Sequence, residues 1–269
     1  MTAALADELV LLIGHGTRIE AGNDQLRACA QALAAALAPL PVAHCFIELA
    51  KPGMPEGLTA AAATARRVTV LPVVLLAAGH ARRDIPAAVA GVAARYPHVR
   101  FRTAAPLGTG AAMQAVLLAR LAAAEAGATL PRSEILLLVV GRGGSDRRAN
   151  AAVAALARRL QRRAGYGAAA VAYCDVAHPD LPTALRQACV DPLAPGAAGN
   201  RVRQVVVLPF LLFDGRLLRR LRAEVASAAA PGVTLRLAEP IGAGPELPAL
   251  LLRQWAALQA KGDALACCP

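Results

Sequence analysis

Three side chains that can hold a metal ion or accept a proton follow three separate apolar runs of the sequence. They are His15, which lies between two glycines, Glu48, and His80, which follows a third glycine. Two neutral imidazoles and a carboxylate suit a divalent first-row metal ion such as Co, Ni, Fe or Zn, and leave positions open for an incoming ligand. The same groups can accept protons, because histidine titrates near neutral pH. The three residues are therefore candidates for a metal site, for proton transfer, or for both.

The elements that would position these residues alternate along the chain between apolar strands and alanine-rich helices. The sequence predicts strands at 9–13, 42–48, 68–76 and 99–103, and helices at 24–37, 55–65, from 84 onwards, and 110–126. Strands without a polar face are typical of a parallel sheet that helices cover on both sides. In the strand order 2-1-3-4 the tips of the first three strands are neighbours, so the three candidate side chains are expected to converge on one crevice.

The same pattern returns in the second half of the chain. Four pairs of residues keep a spacing of 127 residues: His15 and Arg142, Asn23 and Asn150, Glu48 and Asp175, and Pro52 and Pro179. Such a repeat predicts two copies of one supersecondary unit. The expected fold class is α/β, with two tandem doubly wound domains, each a four-stranded parallel sheet flanked by helices. We expect these domains at residues 1–130 and 131–269.

The repeat separates residues that the fold needs from residues that only one copy keeps. Strands, turn glycines and prolines occur in both copies, whereas His15 is replaced by Arg142, and His80, aligned on its glycine, by Arg216. This difference favours a functional role for both histidines, because a shared fold gives no reason to keep them in one copy only. The other histidines are weaker candidates: His44 is expected in the core or behind the site, His98 in solvent, and His178 in a loop of the second copy.

The charge of the chain indicates an anionic partner. The net charge is +11 and the pI is near 10.4, and nearly all of the 29 basic residues are arginine. Guanidinium groups bind carboxylates and phosphates through paired hydrogen bonds, although a base composition that favours arginine codons explains the surplus equally well. The basic residues occur in scattered pairs without interleaved aromatic residues, which disfavours nucleic acid. A polyanionic small molecule is the better expectation.

The sequence predicts a cytoplasmic protein without a membrane segment. The amino terminus lacks the basic and then apolar layout of a signal peptide, and no apolar run reaches the length of a spanning helix. The six cysteines show no C-x-x-C spacing and are expected to be mostly buried thiols.

Three stretches, in this order, resemble the motifs of the class II tetrapyrrole chelatases: Gly14-His15-Gly16-Thr17-Arg18, Phe46-Ile47-Glu48-Leu49-Ala50-Lys51-Pro52, and the segment from Leu71-Pro72 through Gly79-His80 to Asp84-Ile85-Pro86. The chain is similar above all to the long, two-repeat sirohydrochlorin cobaltochelatases of cobalamin biosynthesis, and the resemblance covers nearly all of it. It implies that His15 and His80 contact the metal ion, that His15 transfers protons, and that Glu48 lies at the metal or the substrate.

The resemblance also implies the substrates. The partner would be sirohydrochlorin, a tetrapyrrole rich in carboxylates, and the metal would be Co²⁺, with Fe²⁺ and Ni²⁺ as alternatives. The macrocycle would be lined by the backbone of Leu76, Ala77, Ala78 and Gly79. From their own positions, Arg82 just past His80, and Arg142 and Arg216 in place of the two histidines, we expect these three arginines to bind its carboxylates. For Arg142 and Arg216 the alternative is that the second copy has lost its site and keeps arginines for solubility.

Other interpretations stay open at this point. A sirohydrochlorin ferrochelatase of sirohaem biosynthesis would use the same residues, and a non-catalytic carrier of metal or tetrapyrrole would bind without turnover. Phosphate chemistry at the Gly-His-Gly turn is disfavoured, because the sequence has no P-loop. We expect no iron–sulfur cluster, since Cys267 and Cys268 are adjacent and a cluster needs four suitably spaced thiolates. A monomer or a homodimer is expected.

Overall fold

The computed structural model of the protein describes residues 5–76, 82–190, 202–228 and 232–266, in which strands and helices alternate as the sequence predicts. The first half contains β1 (Leu9–Gly14), α1 (Glu20–Leu37), β2 (Val42–Phe46), α2 (Met54–Thr64), β3 (Arg67–Val73), α3 (Asp84–Arg95), β4 (Arg100–Thr103) and α4 (Ala111–Ala124). The second half contains β5 (Ile135–Gly141), α5 (Arg147–Ala164), β6 (Ala168–Tyr173), α6 (Leu181–Val190), β7 (Gln204–Phe210), α7 (Arg216–Ser227), β8 (Thr234–Leu237) and α8 (Glu246–Ala266). None of these described helices is long and apolar enough to cross a membrane.

The strands form two four-stranded parallel sheets. Their orders are β2-β1-β3-β4 and β6-β5-β7-β8, which confirms the predicted fold class and strand order. In the first sheet Gly14, the last residue of β1, lies opposite Phe46 on β2 and Val73 on β3. The first three strands therefore end at the same level, and the residues that follow them begin at one edge of the sheet.

The core of each sheet lies along its central strands β1, β3, β5 and β7, which are mostly apolar and, apart from the half-buried Arg67 at the start of β3, buried throughout. Helix α2 approaches the first sheet through small residues, and Ala61 and Ala62 on it are buried. A Cβ atom added at Gly57 would lie 2.4 Å from the Cβ atom of Cys45 on β2. Because the chain has few aromatic residues, close helix–sheet approach fills the interior in place of large rings.

Several element boundaries differ from those predicted, and the differences near the candidate site are the ends of β2 and β3 and the start of α1. Strands β2 and β3 end at Phe46 and Val73 rather than at 48 and 76. After β2 the chain turns sharply, and Leu49 takes a left-handed conformation with φ of 63°. Helix α1 begins at Glu20 rather than at 24. Glycine and asparagine near its start are poor helix formers, but the side chain of Asn23 bonds to the preceding loop and so does not compete with the helix backbone.

The chain divides into two compact units that cut across the sequence repeats. One unit holds residues 1–108 and 244–269, and the other holds residues 109–243. Each unit therefore combines one sheet with the last helix of the other repeat, so that α8 belongs with the first sheet and α4 with the second. The domain bounds 1–130 and 131–269 stay a prediction about the sequence repeats. The two compact units differ from these repeats because α4 and α8 each belong to the unit of the other repeat.

A buried carboxylate joins α8 to the first sheet. Glu8, directly before β1, is only 5% exposed. Its Oε1 accepts hydrogen bonds from Thr69 Oγ1 (2.7 Å), Trp255 Nε1 (3.2 Å) and Gln259 Nε2 (2.7 Å), and its Oε2 accepts one from Arg67 Nε (3.0 Å). Burial raises the pKa of Glu8, but these hydrogen bonds outweigh burial and hold the pKa below its ordinary value.

Candidate active site

Backbone hydrogen bonds hold the turn after β1 against the turn after β2. The amide of Ile47 donates to the carbonyl of Gly14 (2.9 Å), and the amide of Glu48 donates to the carbonyl of His15 (3.0 Å). Gly16, the residue after His15, has φ of 86°, and a Cβ atom there would lie 1.8 Å from the carbonyl oxygen of Glu48. Only glycine fits this position, because any side chain would overlap backbone and strain the turn.

This backbone arrangement brings the side chains of His15 and Glu48 together. Nδ1 of His15 lies 3.6 Å from Oε1 of Glu48, and the two side chains are 37% and 47% exposed. The same nitrogen lies 3.3 Å from the carbonyl oxygen of Gly16. Both neighbours are acceptors, so they favour a proton on Nδ1, and that tautomer directs metal coordination to Nε2. A half-exposed imidazole–carboxylate pair can bind a cation and can take up a proton.

Of the residues predicted at the tip of β3, only Leu76 is among those that the structure describes. Among the described residues no group of three or more His, Cys, Asp and Glu side chains is arranged to hold a metal ion. Four of the predicted site residues lie outside the described residues: Ala77, Ala78, Gly79 and His80. Leu76, the last described residue after β3, is half-buried. The convergence of His80 with the other two side chains therefore stays a prediction.

The chain leading to Leu76 is held by the loop after β4. The amide of Leu107 donates to the carbonyl of Val74 (3.0 Å), and the amide of Gly108 donates to the carbonyl of Leu75 (2.8 Å). Arg82, which precedes α3, is exposed. Its side chain is therefore accessible to an anion at this edge of the first sheet.

Asn23 organises the turn that carries His15, a role that the sequence analysis missed. Its Oδ1 accepts from the amide of Thr17 (3.0 Å), and its Nδ2 donates to the carbonyl of Thr17 (2.9 Å). The hydroxyl of Thr17 in turn accepts from the amide of Ile19 (3.2 Å). The signal that could have revealed this role is the pairing of Asn23 with Asn150 at the repeat spacing.

The second repeat builds the same turn around different side chains. The amide of Cys174 donates to the carbonyl of Gly141 (3.0 Å), and the amide of Asp175 donates to the carbonyl of Arg142 (2.9 Å). Nε of Arg142 lies 3.9 Å from Oδ2 of Asp175, and both side chains are about half exposed or more, at 61% and 49%. A guanidinium–carboxylate pair thus occupies the place of the imidazole–carboxylate pair. Arg216, the first residue of α7, is exposed.

The other described histidines are His44, His98 and His178. His44 is half-buried on β2, with its ring 5.7 Å from that of Phe46 in an edge-on arrangement. Burial lowers the pKa of His44, and the positive charge of Arg27 lowers it further. His98 and His178 are exposed. A neutral, half-buried His44 behaves as a packing residue.

A model of the CbiX family matches the chain twice, at residues 9–124 and 136–258, and the chain belongs to this family. Two relatives from Priestia megaterium share similar identity with it. A sirohydrochlorin cobaltochelatase is 31% identical over 90% of this chain and 77% of its own length, and a sirohydrochlorin ferrochelatase is 29% identical over 92% and 89%. The recognition of a chelatase family from the motifs is therefore confirmed.

Solved structures of chelatases share the fold. SirB from Bacillus subtilis with Fe³⁺ has a TM-score of 0.78 at 24% identity, covering 96% of this chain and 98% of its own. SirB from Bacillus subtilis subspecies spizizenii in complex with cobalt has a TM-score of 0.72 at 25% identity, covering 92% of this chain and 93% of its own. These likenesses confirm the predicted chelatase-like architecture over nearly the whole chain.

Proposed function

We propose that this protein inserts a divalent metal ion, Co²⁺ in the first place, into sirohydrochlorin for cobalamin biosynthesis. The observation that carries the proposal is the His15–Glu48 pair, with Nδ1 and Oε1 3.6 Å apart at the carboxyl edge of the first sheet. The similarity of the chain to a sirohydrochlorin cobaltochelatase from Priestia megaterium also supports the proposal. The second repeat keeps the turn but not the imidazole, which supports a catalytic role for the first repeat.

Metal insertion exchanges a divalent metal ion for two protons, and the His15–Glu48 pair offers groups that can bind the ion and accept protons. The incoming M²⁺ displaces two N–H protons from the macrocycle, so proton acceptors must lie beside the metal. In our proposal His15 and His80 would hold the metal ion, and once the ion has left for the macrocycle, Nε2 of His15 and the carboxylate of Glu48 would each take up one of the two protons. Neutral imidazole and carboxylate ligands with open positions release the ion, whereas a closed four-thiolate cage would retain it.

The carboxylates of the substrate need cationic partners, and in our proposal these are Arg82, Arg142 and Arg216. The backbone of residues 76–79 would line the macrocycle. At 3.9 Å the contact between Arg142 and Asp175 is longer than a hydrogen bond. A substrate carboxylate can therefore approach the guanidinium without breaking a strong native bond. Binding energy from these remote groups is available to distort the macrocycle toward the metal.

Iron is the second candidate metal. A sirohydrochlorin ferrochelatase from Priestia megaterium is 29% identical to this chain, close to the identity with the cobaltochelatase. An imidazole–carboxylate set binds Co²⁺, Fe²⁺ and Ni²⁺ alike, and selection among them depends on geometry and availability. The cytoplasmic location and the monomeric or homodimeric state stay predictions from the sequence. So does the lack of an iron–sulfur cluster, because Cys267 and Cys268 lie outside the described residues.

The test is an anaerobic assay that follows the absorbance of sirohydrochlorin with Co²⁺, Fe²⁺ and Ni²⁺ in parallel. We expect turnover that is fastest with Co²⁺ and a loss of about 100-fold or more in His15→Ala, as for the removal of a general base. His98→Ala, which changes an exposed histidine, serves as the matched control and should retain the full rate. Fastest turnover with Fe²⁺ would favour the ferrochelatase, and tight binding without turnover would favour a carrier.

A further inference from the structure

A buried amide clamps the turn that carries His15. Asn23 is 2% exposed, and a polar group so deeply buried is costly unless it is hydrogen-bonded. Both ends of its amide bond to the same residue, since Oδ1 accepts from the amide of Thr17 at 3.0 Å and Nδ2 donates to the carbonyl of Thr17 at 2.9 Å. Nδ2 also lies 3.2 Å from Oε2 of Glu20, which is itself paired with Arg27. The clamp is thus anchored in the first turns of α1.

Only Gly16 separates this clamp from His15. His15 has a second attachment through its own carbonyl, which accepts a hydrogen bond from the amide of Glu48 at 3.0 Å. Gly16 has φ of 86° and permits many conformations by itself, because it has no side chain. The direction of the His15 imidazole toward Glu48 therefore depends on both attachments, and Asn23 supplies the one on the helix side.

The second repeat keeps one of the two bonds of this clamp, without the histidine. Nδ2 of Asn150 donates to the carbonyl of Gly144 at 2.8 Å, and Gly144 stands in the second repeat where Thr17 stands in the first. The fold thus uses this asparagine in both repeats, but only in the first does the clamped turn carry an imidazole. Substitutions of the two asparagines separate a role in folding from a role at the site.

We infer that Asn23 is a positioning residue for metal binding, which holds the His15 imidazole in place through Thr17; this inference rests on the proposed role of His15. Groups behind metal ligands typically change metal affinity by about 10- to 100-fold when they are removed. Because Asn23 acts through the backbone rather than on the ring, the lower end of this range applies. Asn23→Ala is expected to weaken Co²⁺ binding about tenfold.

The experiment measures the binding of Co²⁺ alone, without tetrapyrrole, by isothermal titration calorimetry. The proteins are the full-length chain and its Asn23→Ala, Asn150→Ala and His15→Ala variants, with thermal unfolding midpoints recorded for each. We expect Asn150→Ala to lose less thermal stability than Asn23→Ala, because Asn150 is half-buried rather than buried and bonds to its turn through Nδ2. The Kd for Co²⁺ should rise about tenfold in Asn23→Ala and stay within about twofold in Asn150→Ala. In the insertion assay Asn23→Ala should raise the KM for Co²⁺ in the same proportion.

Equal Co²⁺ affinities in Asn23→Ala and Asn150→Ala, with His15→Ala impaired, would overturn the inference alone. Wild-type Co²⁺ binding and turnover in His15→Ala would overturn the proposed role of His15 and the inference with it. If the alanine variants do not fold, Asn23→Asp and Asn150→Asp replace them. The carboxylate of Asn23→Asp keeps an acceptor for the amide of Thr17 but loses the donor, so a smaller rise in Kd confined to the first repeat supports the inference, and no rise contradicts it.

Discussion

Replacement of Glu8 by glutamine is expected to destabilise the first compact unit by about 1.5–3 kcal/mol. A glutamine oxygen can keep the three hydrogen bonds that Oε1 accepts from Thr69, Trp255 and Gln259. Its NH2 group then faces the guanidinium of Arg67, donor against donor, where the carboxylate had accepted at 3.0 Å. One charge-assisted hydrogen bond is lost. Glu8→Ala, which removes every acceptor from the buried donors, should cost about 3–5 kcal/mol.

The effect of Glu8→Gln depends on pH in a defined direction. Burial raises the pKa of Glu8, but its hydrogen bonds outweigh burial and hold the pKa below the ordinary value. The native state therefore favours the carboxylate more than the unfolded chain does. This contribution is fully present above about pH 4.3, the ordinary pKa of glutamate, and it is lost as the pH falls through the lower native pKa. The difference between wild type and Glu8→Gln should be constant near neutral pH and shrink in acid.

The assay is urea unfolding followed by the fluorescence of Trp255, the single tryptophan of the sequence, which donates a hydrogen bond to Glu8. The matched control is Glu134→Gln in the second repeat. Glu134 pairs with Arg203 at 3.3 Å, with the two side chains 22% and 60% exposed, so its loss should cost less than about 1 kcal/mol. Equal losses in the two variants, or a Glu8→Gln loss that persists unchanged in acid, would refute the reasoning.

Two further substitutions test the site. Gly16→Ala should abolish metal insertion, because its Cβ would lie 1.8 Å from the carbonyl oxygen of Glu48 at φ of 86°. The control Gly91→Ala meets open space on α3 and should raise the free energy of unfolding by about 0.5–1 kcal/mol; equal insertion rates in the two variants would contradict the geometry. Arg142→Gln combined with Arg216→Gln should raise the KM for sirohydrochlorin about fivefold or more, since each exposed charge pair contributes up to about 1 kcal/mol. An unchanged KM would exclude carboxylate binding by these residues.

The fold could be predicted from the sequence because its central strands are mostly apolar and its halves repeat. The exchange of α4 and α8 between the two units could not. Both helices are rich in alanine and leucine, and the repeat spacing assigns each helix to its own copy. Which sheet such a helix covers depends on contacts between residues far apart in sequence, such as those of Trp255 and Gln259 with Glu8. No local pattern reports these contacts.

The meeting of His15 and Glu48 could also be predicted, because the strand order places the tips of β1 and β2 side by side. The backbone conformation that brings the two side chains together could not be predicted. Glu48 is not the end of a strand but belongs to the turn after β2, where its amide is bonded to the carbonyl of His15. The bonds of Asn23 could not be predicted either: its pairing with Asn150 at the repeat spacing marks the position, but an asparagine in a helix does not show which groups it bonds.

The two repeats divide their chemistry through side chains on one shared backbone arrangement. In both, the turn after the second strand donates two amides to the turn after the first, and an asparagine holds that turn to the following helix. Imidazole can lose its proton near neutral pH and coordinate a metal ion, whereas the guanidinium of Arg142 remains charged and cannot. In the proposed function the same turn would bind a cation where it carries His15 and attract an anion where it carries Arg142. The proposed substrate is both a metal acceptor and a polyanion, so the proposal gives each turn a function of its own, and the double substitution of Arg142 and Arg216 separates this explanation from loss of the second site.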